Sequence, residues 1–396
     1  MKAFLNILFL SIFLCIDGAI RKDPKYKWSN PNKIKVFIDK DANYFRFEKV
    51  KNKLIKEKGI NVLKSNHKCY SDHIGAKPFK EANEIFIHEK CKDSGIIVQS
   101  LILQVLGLEN EHNRIDRDKF VRIITDNINK NDLLTYFKKD SKKTAETYGT
   151  NYDYGSALHG YFESFTSNNG KTIQVKGDHA LYYSKMIGQR EVIGFNEYKL
   201  VNKHYCDKKC VSSSKNKKKD SSIPKCHNDG YPNPNKCVEC LCPFPYTSRD
   251  CSSFHISNGQ GCPEKKSSFH ISNGQGCPEK KLIAFDAQKL ISFSKIGNCY
   301  TMIEAKDSKK TIHIRVSYIS FNHIKFCSRE KDNFLEVQYK KDKTLMGLCF
   351  CVGTLIDGEH NIYSEGNKVM LIYRGVNYYN KVDIYYNQHI VYNLQK

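Results

Sequence analysis

The fold is decided by residues 91–123, which read CKDSGIIVQSLILQVLGLENEHNRIDRDKFVRI. The run from Gly95 to Leu106 is mostly apolar, which favours a helix in the middle of a domain. Gly107 follows it, and glycine suits the residue after a helix because it adopts backbone conformations that other residues avoid. The charged cluster RIDRD comes next, at 114–118. The stretch therefore predicts a buried helix, a sharp exit and a charged loop.

The same stretch resembles the signature of the astacin family of zinc metalloendopeptidases, HExxHxxGxxHExxRxDRD, which is a longer version of the metzincin zinc motif. In that motif two histidines one helical turn apart face the same way, and the glycine turns the chain so that a third histidine reaches the metal. The glutamate after the first histidine polarises the zinc-bound water. The resemblance implies a metzincin-type domain of α/β (α+β) class and, for active members, a zinc-dependent hydrolase that cleaves proteins.

The residue types at the chemical positions of this motif have changed. With Gly107 and segment 114–118 as the register, the metal-ligand positions hold Ser100, Gln104 and Asn110. The general-base position holds Leu101, which cannot take a proton. Serine and amide side chains offer zinc no anionic or imidazole donor, and no HExxH sequence occurs elsewhere in the chain. We therefore expect no intact catalytic or metal site and no bound cofactor, which makes the chain a predicted pseudoenzyme.

The remainder of the motif is retained. The glutamate after the third ligand position is Glu111. The charged segment supplies Arg114, Asp116, Arg117 and Asp118. One interpretation of these charges is a functional site, but the resemblance favours structural ion pairs.

A second block, residues 152–160, reads YDYGSALHG and resembles the family's Met-turn segment YDYGSxMHY. Leu158 stands at the Met-turn position, and Gly160 stands where the family has a metal-proximal tyrosine. His112 and His159 are nearby groups that could act as substitute ligands together with Asn110. Even then Leu101 would leave the metal without a general base.

The predicted domain boundaries follow changes in composition. Residues 1–19 have a charged start, a short apolar run and a small-residue exit, which are typical of a secretory signal peptide. The astacin-like domain is expected at 28–206, an EGF-like module at 207–251 and a CUB-like β-sandwich at 282–396, where alternating runs such as TIHIRVSYI at 311–319 predict strands. Residues 252–281 are two identical copies of SSFHISNGQGCPEKK, which we interpret as a duplicated linker or an error of sequence assembly.

Cysteine usage agrees with an oxidising, extracellular location. The chain has 16 cysteines, and removal of Cys15 with the signal peptide leaves an odd number. The family resemblances imply the pairs Cys69–Cys91, Cys210–Cys237, Cys226–Cys240, Cys242–Cys251, Cys277–Cys299 and Cys327–Cys351. Cys206, Cys262 and Cys349 are then left over.

The net charge of +22 bears on the partners of the chain. Secretion argues against nucleic acid, so the charge indicates either a solvated basic surface or binding to acidic glycans or anionic cell surfaces. The apolar start is too short for a membrane anchor. Three functions remain open: a secreted pseudoprotease that binds extracellular proteins as a scaffold, an active zinc metalloendopeptidase, and a charge-driven adhesion module.

Overall fold

The computed structural model describes residues 20–31, 34–38, 58–66, 68–78, 81–91, 94–210, 223–255, 257, 280–321, 327, 329, 333–351, 355 and 358–390. These residues form two compact units. The first takes the described residues within Met1–Gly177, Ile187–Pro224 and Pro232–Glu239. The second takes those within Asp178–Met186, Lys225–Tyr231 and Cys240–Lys396. The predicted signal peptide and most of the duplicated segment lie outside the described residues.

The first unit is built on a four-stranded sheet in the order β2-β3-β5-β4. Its strands are β2 (Val36–Ile38), β3 (Ile60–Ser65), β4 (Tyr70–Ser71) and β5 (Asn83–His88). Strands β2, β3 and β5 are parallel, and β4 runs antiparallel to β5. Alternate side chains of β5 are buried, because successive residues of a strand point to opposite faces.

The central helix of the first unit is α1 (Gly95–Val105). The side chain of Ser94 caps it by accepting a hydrogen bond from the Ile97 amide at 3.4 Å. The apolar side of α1 packs in one core cluster with residues of β3, β5 and the N-terminal segment, among them Trp28. Gly107 has φ +110°, so the chain leaves the helix through a conformation that favours glycine, as the sequence predicts.

Shorter elements complete the first unit. Strand β1 (Ile20–Arg21) pairs with β7 (Ala145–Glu146), and β6 (Val121–Ile123) pairs with β8 (Ile173–Val175). Its other helices are α2 (Lys130–Tyr136) and α4 (Phe195–Tyr205). Turns of 3-10 helix lie at Pro24–Tyr26, Glu89–Cys91, Glu111–Asn113, Arg117–Lys119 and Thr125–Asn127.

The second unit is dominated by a β-sandwich. One sheet has the order β13-β15-β20-β17-β18 and the other β14-β21-β16-β19. The strands of the sandwich are β13 (Lys280–Ala284), β14 (Lys289–Ser294), β15 (Gly297–Ala305), β16 (Thr311–Ser320), β17 (Phe334–Gln338), β18 (Leu348–Phe350), β19 (His360–Tyr363), β20 (Lys368–Gly375) and β21 (Lys381–His389). Most buried side chains of both sheets are apolar, which is how such sandwiches form a core.

Smaller elements of this region are β9 (Tyr231–Pro232), β10 (Cys240–Leu241), β11 (Tyr246–Thr247) and β12 (Ser253–Phe254). The second unit also contains α3 (Ala180–Tyr183), whose Tyr182 ring lies 4.5 Å from the Phe350 ring. A mixed α/β domain, a disulfide-rich module and a β-sandwich follow one another along the chain, which confirms the predicted fold class.

Five of the six expected disulfides lie within the described residues: Cys69–Cys91, Cys210–Cys237, Cys226–Cys240, Cys242–Cys251 and Cys327–Cys351. Cys299 is also disulfide-bonded, while Cys277 and Cys262 lie outside the described residues. Cys206 is in a disulfide too, so the expectation that it is left over is wrong. That expectation paired cysteines by family spacing, which supplied no partner for it. Cys349 is a buried thiol in β18.

Within the described part of the chain, no helix is long and apolar enough to cross a membrane.

Candidate functional site

The motif has three metal-ligand positions and one general-base position. Two of these four positions face inward from α1. The Ser100 hydroxyl donates a hydrogen bond to the Ile97 carbonyl one turn back, at 2.8 Å, and the residue is 7% exposed. Leu101 is 6% exposed and belongs to the apolar cluster that also holds Trp28 and Ile85. The residue at the general-base position is therefore a core residue of the domain.

The other two positions meet at the exit of the helix. The Gln104 side-chain amide donates to the Asn110 side-chain oxygen at 3.2 Å, across the turn made by Gly107. The Gln104 oxygen accepts a hydrogen bond from the Ser71 hydroxyl at 3.1 Å. The structure thus brings Gln104 and Asn110 together as neutral hydrogen-bonding groups, with Ser71 as a third member that the sequence did not single out.

This donor set does not fit zinc. Structural and catalytic zinc sites use thiolate, imidazole or carboxylate ligands, and the three positions supply one hydroxyl and two amides. Among the described residues, no group of three or more His, Cys, Asp or Glu side chains is placed to hold a metal ion. No catalytic step through a metal follows from these residues.

The two histidines near the site are both turned into the interior. His112 Nδ1 accepts from the Gly160 amide at 2.9 Å, and its Nε2 lies 3.2 Å from the Tyr136 carbonyl, to which it donates. His159 Nδ1 lies 2.7 Å from the Gly160 carbonyl and donates to it, so its Nε2 accepts from the Tyr152 hydroxyl at 2.6 Å. All four ring nitrogens are in use, which leaves neither histidine as a substitute metal ligand in this arrangement.

Burial keeps both rings neutral. It lowers the pKa of His159 to about 4, with the nearby positive charge of Arg190 acting in the same direction. Burial also lowers the pKa of His112 well below its ordinary value, and His159 and Arg117 add to that effect. The pair is therefore an uncharged part of the core at neutral pH.

We expect the free energy of unfolding to decrease as the pH is lowered, because His159 must take up a proton. A histidine whose pKa is depressed by folding stabilises the native state above its unfolded pKa of 6.5 and loses that contribution as the pH falls to about 4. The loss is on the order of 3 kcal/mol, at about 1.4 kcal/mol per pKa unit. Urea unfolding of wild type and His159→Gln across this range measures it.

The difference between the unfolding free energies of wild type and His159→Gln measures the contribution of His159 to the pH dependence. Burial raises the pKa of Glu111 and of Asp140 to about 8 each, and these carboxyl groups act with the opposite sign in both proteins. Parallel pH curves for wild type and His159→Gln would contradict the assignment of a neutral buried His159.

Gly160 lies in a crowded part of the core. A Cβ placed there would lie 2.8 Å from the Ile173 Cδ1 atom and 3.1 Å from the His112 ring. A larger residue at this position would therefore require Ile173 and His112 to shift. The sequence showed the substitution, but only the packing shows which neighbours surround it.

We expect Gly160→Ala to lower the free energy of unfolding by about 1–3 kcal/mol, since overpacking forces neighbours off their preferred positions. Gly95→Ala is the matched control, because a Cβ at the start of α1 meets nothing within 4 Å. Thermal unfolding of both variants checks the difference. Equal stability of the two variants would contradict this prediction, because it would show that Ile173 and His112 can shift without cost.

The retained charges lie in a buried network. Arg114 is 2% exposed and makes two hydrogen bonds of 2.9 Å to the Asp116 carboxylate and one of 3.0 Å to the Thr150 carbonyl. Its guanidinium also lies 3.5 Å from Glu111, whose carboxylate accepts from the Asp153 amide at 2.8 Å. The network ties the loop after α1 to the segment that carries the Met-turn position.

Arg117 has the same kind of role. Its guanidinium donates to the His112 carbonyl at 2.9 Å and to the Phe137 carbonyl at 2.5 Å. Asp118 pairs with Lys139 at 2.5 Å on the surface. These contacts match the structural interpretation of the charged segment.

One buried carboxyl group was missed by sequence reasoning. Glu197 in α4 accepts hydrogen bonds from the Ser156 hydroxyl and the Ala157 amide, both at 2.8 Å, and fixes the turn before Leu158. Burial raises its pKa. Leu158 itself is 5% exposed and packs in the second core cluster of this unit. A lone glutamate in an amphipathic helix gives no sequence signal of such a contact.

The comparison with known families decides the ancestry of this arrangement. The model of the peptidase family Astacin matches residues 37–206, the region that holds α1, the charged network and the Met-turn segment. This domain belongs to the astacin family. The family's fold is therefore present, with Ser100, Leu101, Gln104 and Asn110 at the positions that carry its chemistry.

Curated relatives of the chain include nematode proteins. Zinc metalloproteinase nas-34 of Caenorhabditis elegans is 30% identical over 79% of this chain and 45% of its own length. Zinc metalloproteinase nas-23 of the same species is 30% identical over 77% of this chain and 51% of its length. The chain thus spans about half the length of these relatives.

Solved structures were matched as well. The hatching enzyme zinc-protease HCE-1 of the medaka Oryzias latipes is 23% identical in sequence. The match covers 48% of this chain and 94% of the HCE-1 chain, with a TM-score of 0.35. The CUB1-EGF-CUB2 region of human MASP-1/3 is 12% identical, covers 34% of this chain and 54% of its own, and gives a TM-score of 0.22.

Proposed function

We propose that the protein is a secreted pseudoprotease, in which an astacin-family domain acts as an extracellular binding or scaffolding module. The observation that carries the proposal is the state of the four chemical positions. Leu101 is part of the hydrophobic core, Ser100 is bonded to its own helix, and Gln104 and Asn110 are bonded to each other. A hydrolase of this family needs a metal, its ligands and a base, and none of these side chains can supply them.

Secretion is supported by the character of the chain. The signal-like first 19 residues and the disulfides of both units agree with an oxidising location. Disulfides such as Cys242–Cys251 close short loops in a module with few apolar residues, which a reducing compartment would not support.

The polar side chains at the helix exit suit binding without cleavage. The Ser71, Gln104 and Asn110 side chains form a chain of neutral donors and acceptors on partly exposed residues. Such groups pair well with the amide groups of an extended peptide, because both sides offer N–H donors and carbonyl acceptors. The proposed ligand class is therefore the backbone of an extracellular polypeptide.

The alternative is an active zinc metalloendopeptidase. It is favoured by the relatives, whose names describe zinc metalloproteinases, and by the retained Gly107, Glu111 and charged network. Activity would then require ligands other than the three motif positions.

A protease assay separates the two. The full chain, purified from a secretory host, is incubated with a quenched fluorescent peptide library in the presence of added zinc, with and without chelator. We expect no chelator-sensitive cleavage. Cleavage that the chelator abolishes, and that is absent from a mock purification without the chain, would establish the alternative, whether or not the double variant Gln104→Ala, Asn110→Ala retains it.

A further inference from the structure

Two turns of the β-sandwich lie side by side at one end. Residues 295–296 connect β14 to β15, and residues 376–380 connect β20 to β21. Gly297 pairs with Gly375 across one sheet, and Ser294 pairs with Lys381 across the other. We call these two turns, 295–296 and 376–380, the sandwich tip.

The sandwich tip exposes a group of large apolar side chains. Tyr379 is 90% exposed, Tyr378 63%, Val376 44% and Ile296 40%. Scattered apolar residues are normal on a protein surface, but four on two adjoining turns form a patch. Such patches mark sites where a protein meets a partner or a membrane.

Buried hydrogen bonds hold the tip in this shape. Asn333, which is 3% exposed, accepts from the Val376 amide at 2.7 Å and from the side-chain amide of Asn380. The Lys295 amide donates to the Asn380 carbonyl at 2.9 Å, and the Tyr373 hydroxyl donates to the Lys295 carbonyl at 2.6 Å. The tyrosines are therefore presented on a backbone that is fixed from below, which lowers the entropic cost of binding.

The two turns also touch so closely that glycine is required between them. A Cβ on Gly375 would lie 1.9 Å from the Lys295 carbonyl oxygen. A larger residue at Gly375 would push the two turns apart.

Lys295 gives the tip a positive charge, because it is exposed on the first turn. Lys381 follows the second turn, where Asp383 pairs with it at 2.8 Å and its ammonium lies 5.3 Å from the centre of the Tyr318 ring. The whole chain carries a net charge of +22. This balance is complementary to an anionic surface, which attracts basic segments that lie close to it.

We propose that the sandwich tip docks on an anionic lipid surface. Tyr378 and Tyr379 would sit at the level of the headgroups, where tyrosine is favoured because its ring is apolar and its hydroxyl is wet. Val376 and Ile296 would reach the acyl boundary, and Lys295 would face lipid phosphates. This docking is independent of the proposed loss of protease activity, since it uses no residue of the first unit.

Vesicle sedimentation tests the proposal. The purified full chain is mixed, at about physiological ionic strength, with vesicles of phosphatidylcholine alone or with about one third phosphatidylserine. We expect binding to the anionic vesicles, and about tenfold or greater weakening in the double variant Tyr378→Ser, Tyr379→Ser, because membrane affinity scales with the apolar area buried. The matched control is Tyr363→Ser, a change of another exposed tyrosine that lies in β19, and it should bind as wild type does.

Three results would overturn the proposal. They are a wild-type chain that stays in solution with both kinds of vesicle, a double variant that binds as tightly as wild type, and equal weakening by Tyr363→Ser. Thermal unfolding of each variant confirms that the β-sandwich is intact, since all three changes are on exposed side chains.

Discussion

Replacing Leu101 by glutamate is expected to destabilise the astacin-family domain by about 3–5 kcal/mol, which is the cost of an uncompensated buried charge. The side chain at this position is 6% exposed and packs in the cluster of Trp28, Ile85 and Val98. The cluster around it is apolar, and the Trp28 indole N–H within it already donates to the Val105 carbonyl at 2.8 Å. Urea unfolding measures the loss, and Leu101→Met, which conserves volume, should cost less than about 1.5 kcal/mol.

The same reasoning applies to a rebuilt motif. The fourfold variant Ser100→His, Leu101→Glu, Gln104→His, Asn110→His restores the residue types of the family signature. We expect it to show no peptide hydrolysis, because its glutamate enters a packed core and Gly160 still supplies no metal-proximal tyrosine. A stable fourfold variant that cleaves peptide would show that the backbone of the active site survives and that only the side chains were lost.

Replacing Arg114 by methionine is expected to lower the free energy of unfolding by about 3 kcal/mol, since it leaves the hydrogen-bond partners of a buried guanidinium unpaired. Asp116 would lose two hydrogen bonds, and the Thr150 carbonyl would lose one. Arg114→Lys should recover part of the stability, because lysine keeps the charge but cannot form the two-pronged contact. Denaturant unfolding of both variants is the measurement.

Arg315→Met is the matched control. Arg315 makes an equally close pair with Glu359, at 2.6 Å, but both groups are partly exposed on the four-stranded sheet of the sandwich. Exposed pairs contribute about 0–1 kcal/mol, so this change should be nearly silent. A loss of similar size for Arg114→Met and Arg315→Met would show that the charged network near Glu111 has no special structural role.

Local sequence pattern was enough to predict the elements that frame the site. The apolar run before Gly107 predicted a helix over 95–106, and the helix spans Gly95–Val105. Alternation at 311–319 predicted a strand, and β16 spans Thr311–Ser320. These signals work because one buried face imposes a fixed period on the sequence.

Contacts between distant segments could not be predicted in this way. The hydrogen bonds of the Gly160 amide to His112 and of the Ala157 amide to Glu197 join residues that are 48 and 40 positions apart, and nothing in the sequence signals either pair. The same holds for Cys206, whose disulfide was not expected. In these cases three-dimensional packing sets the partner.

The most direct test of the lost metal site is a zinc titration of the purified full chain by calorimetry, together with elemental analysis of the untreated protein. Ser100, Gln104 and Asn110 offer no thiolate, imidazole or carboxylate, so we expect no stoichiometric zinc and no saturable binding in the micromolar range or below. One zinc per chain that disappears in the double variant Gln104→Ala, Asn110→Ala would contradict the loss of the metal site.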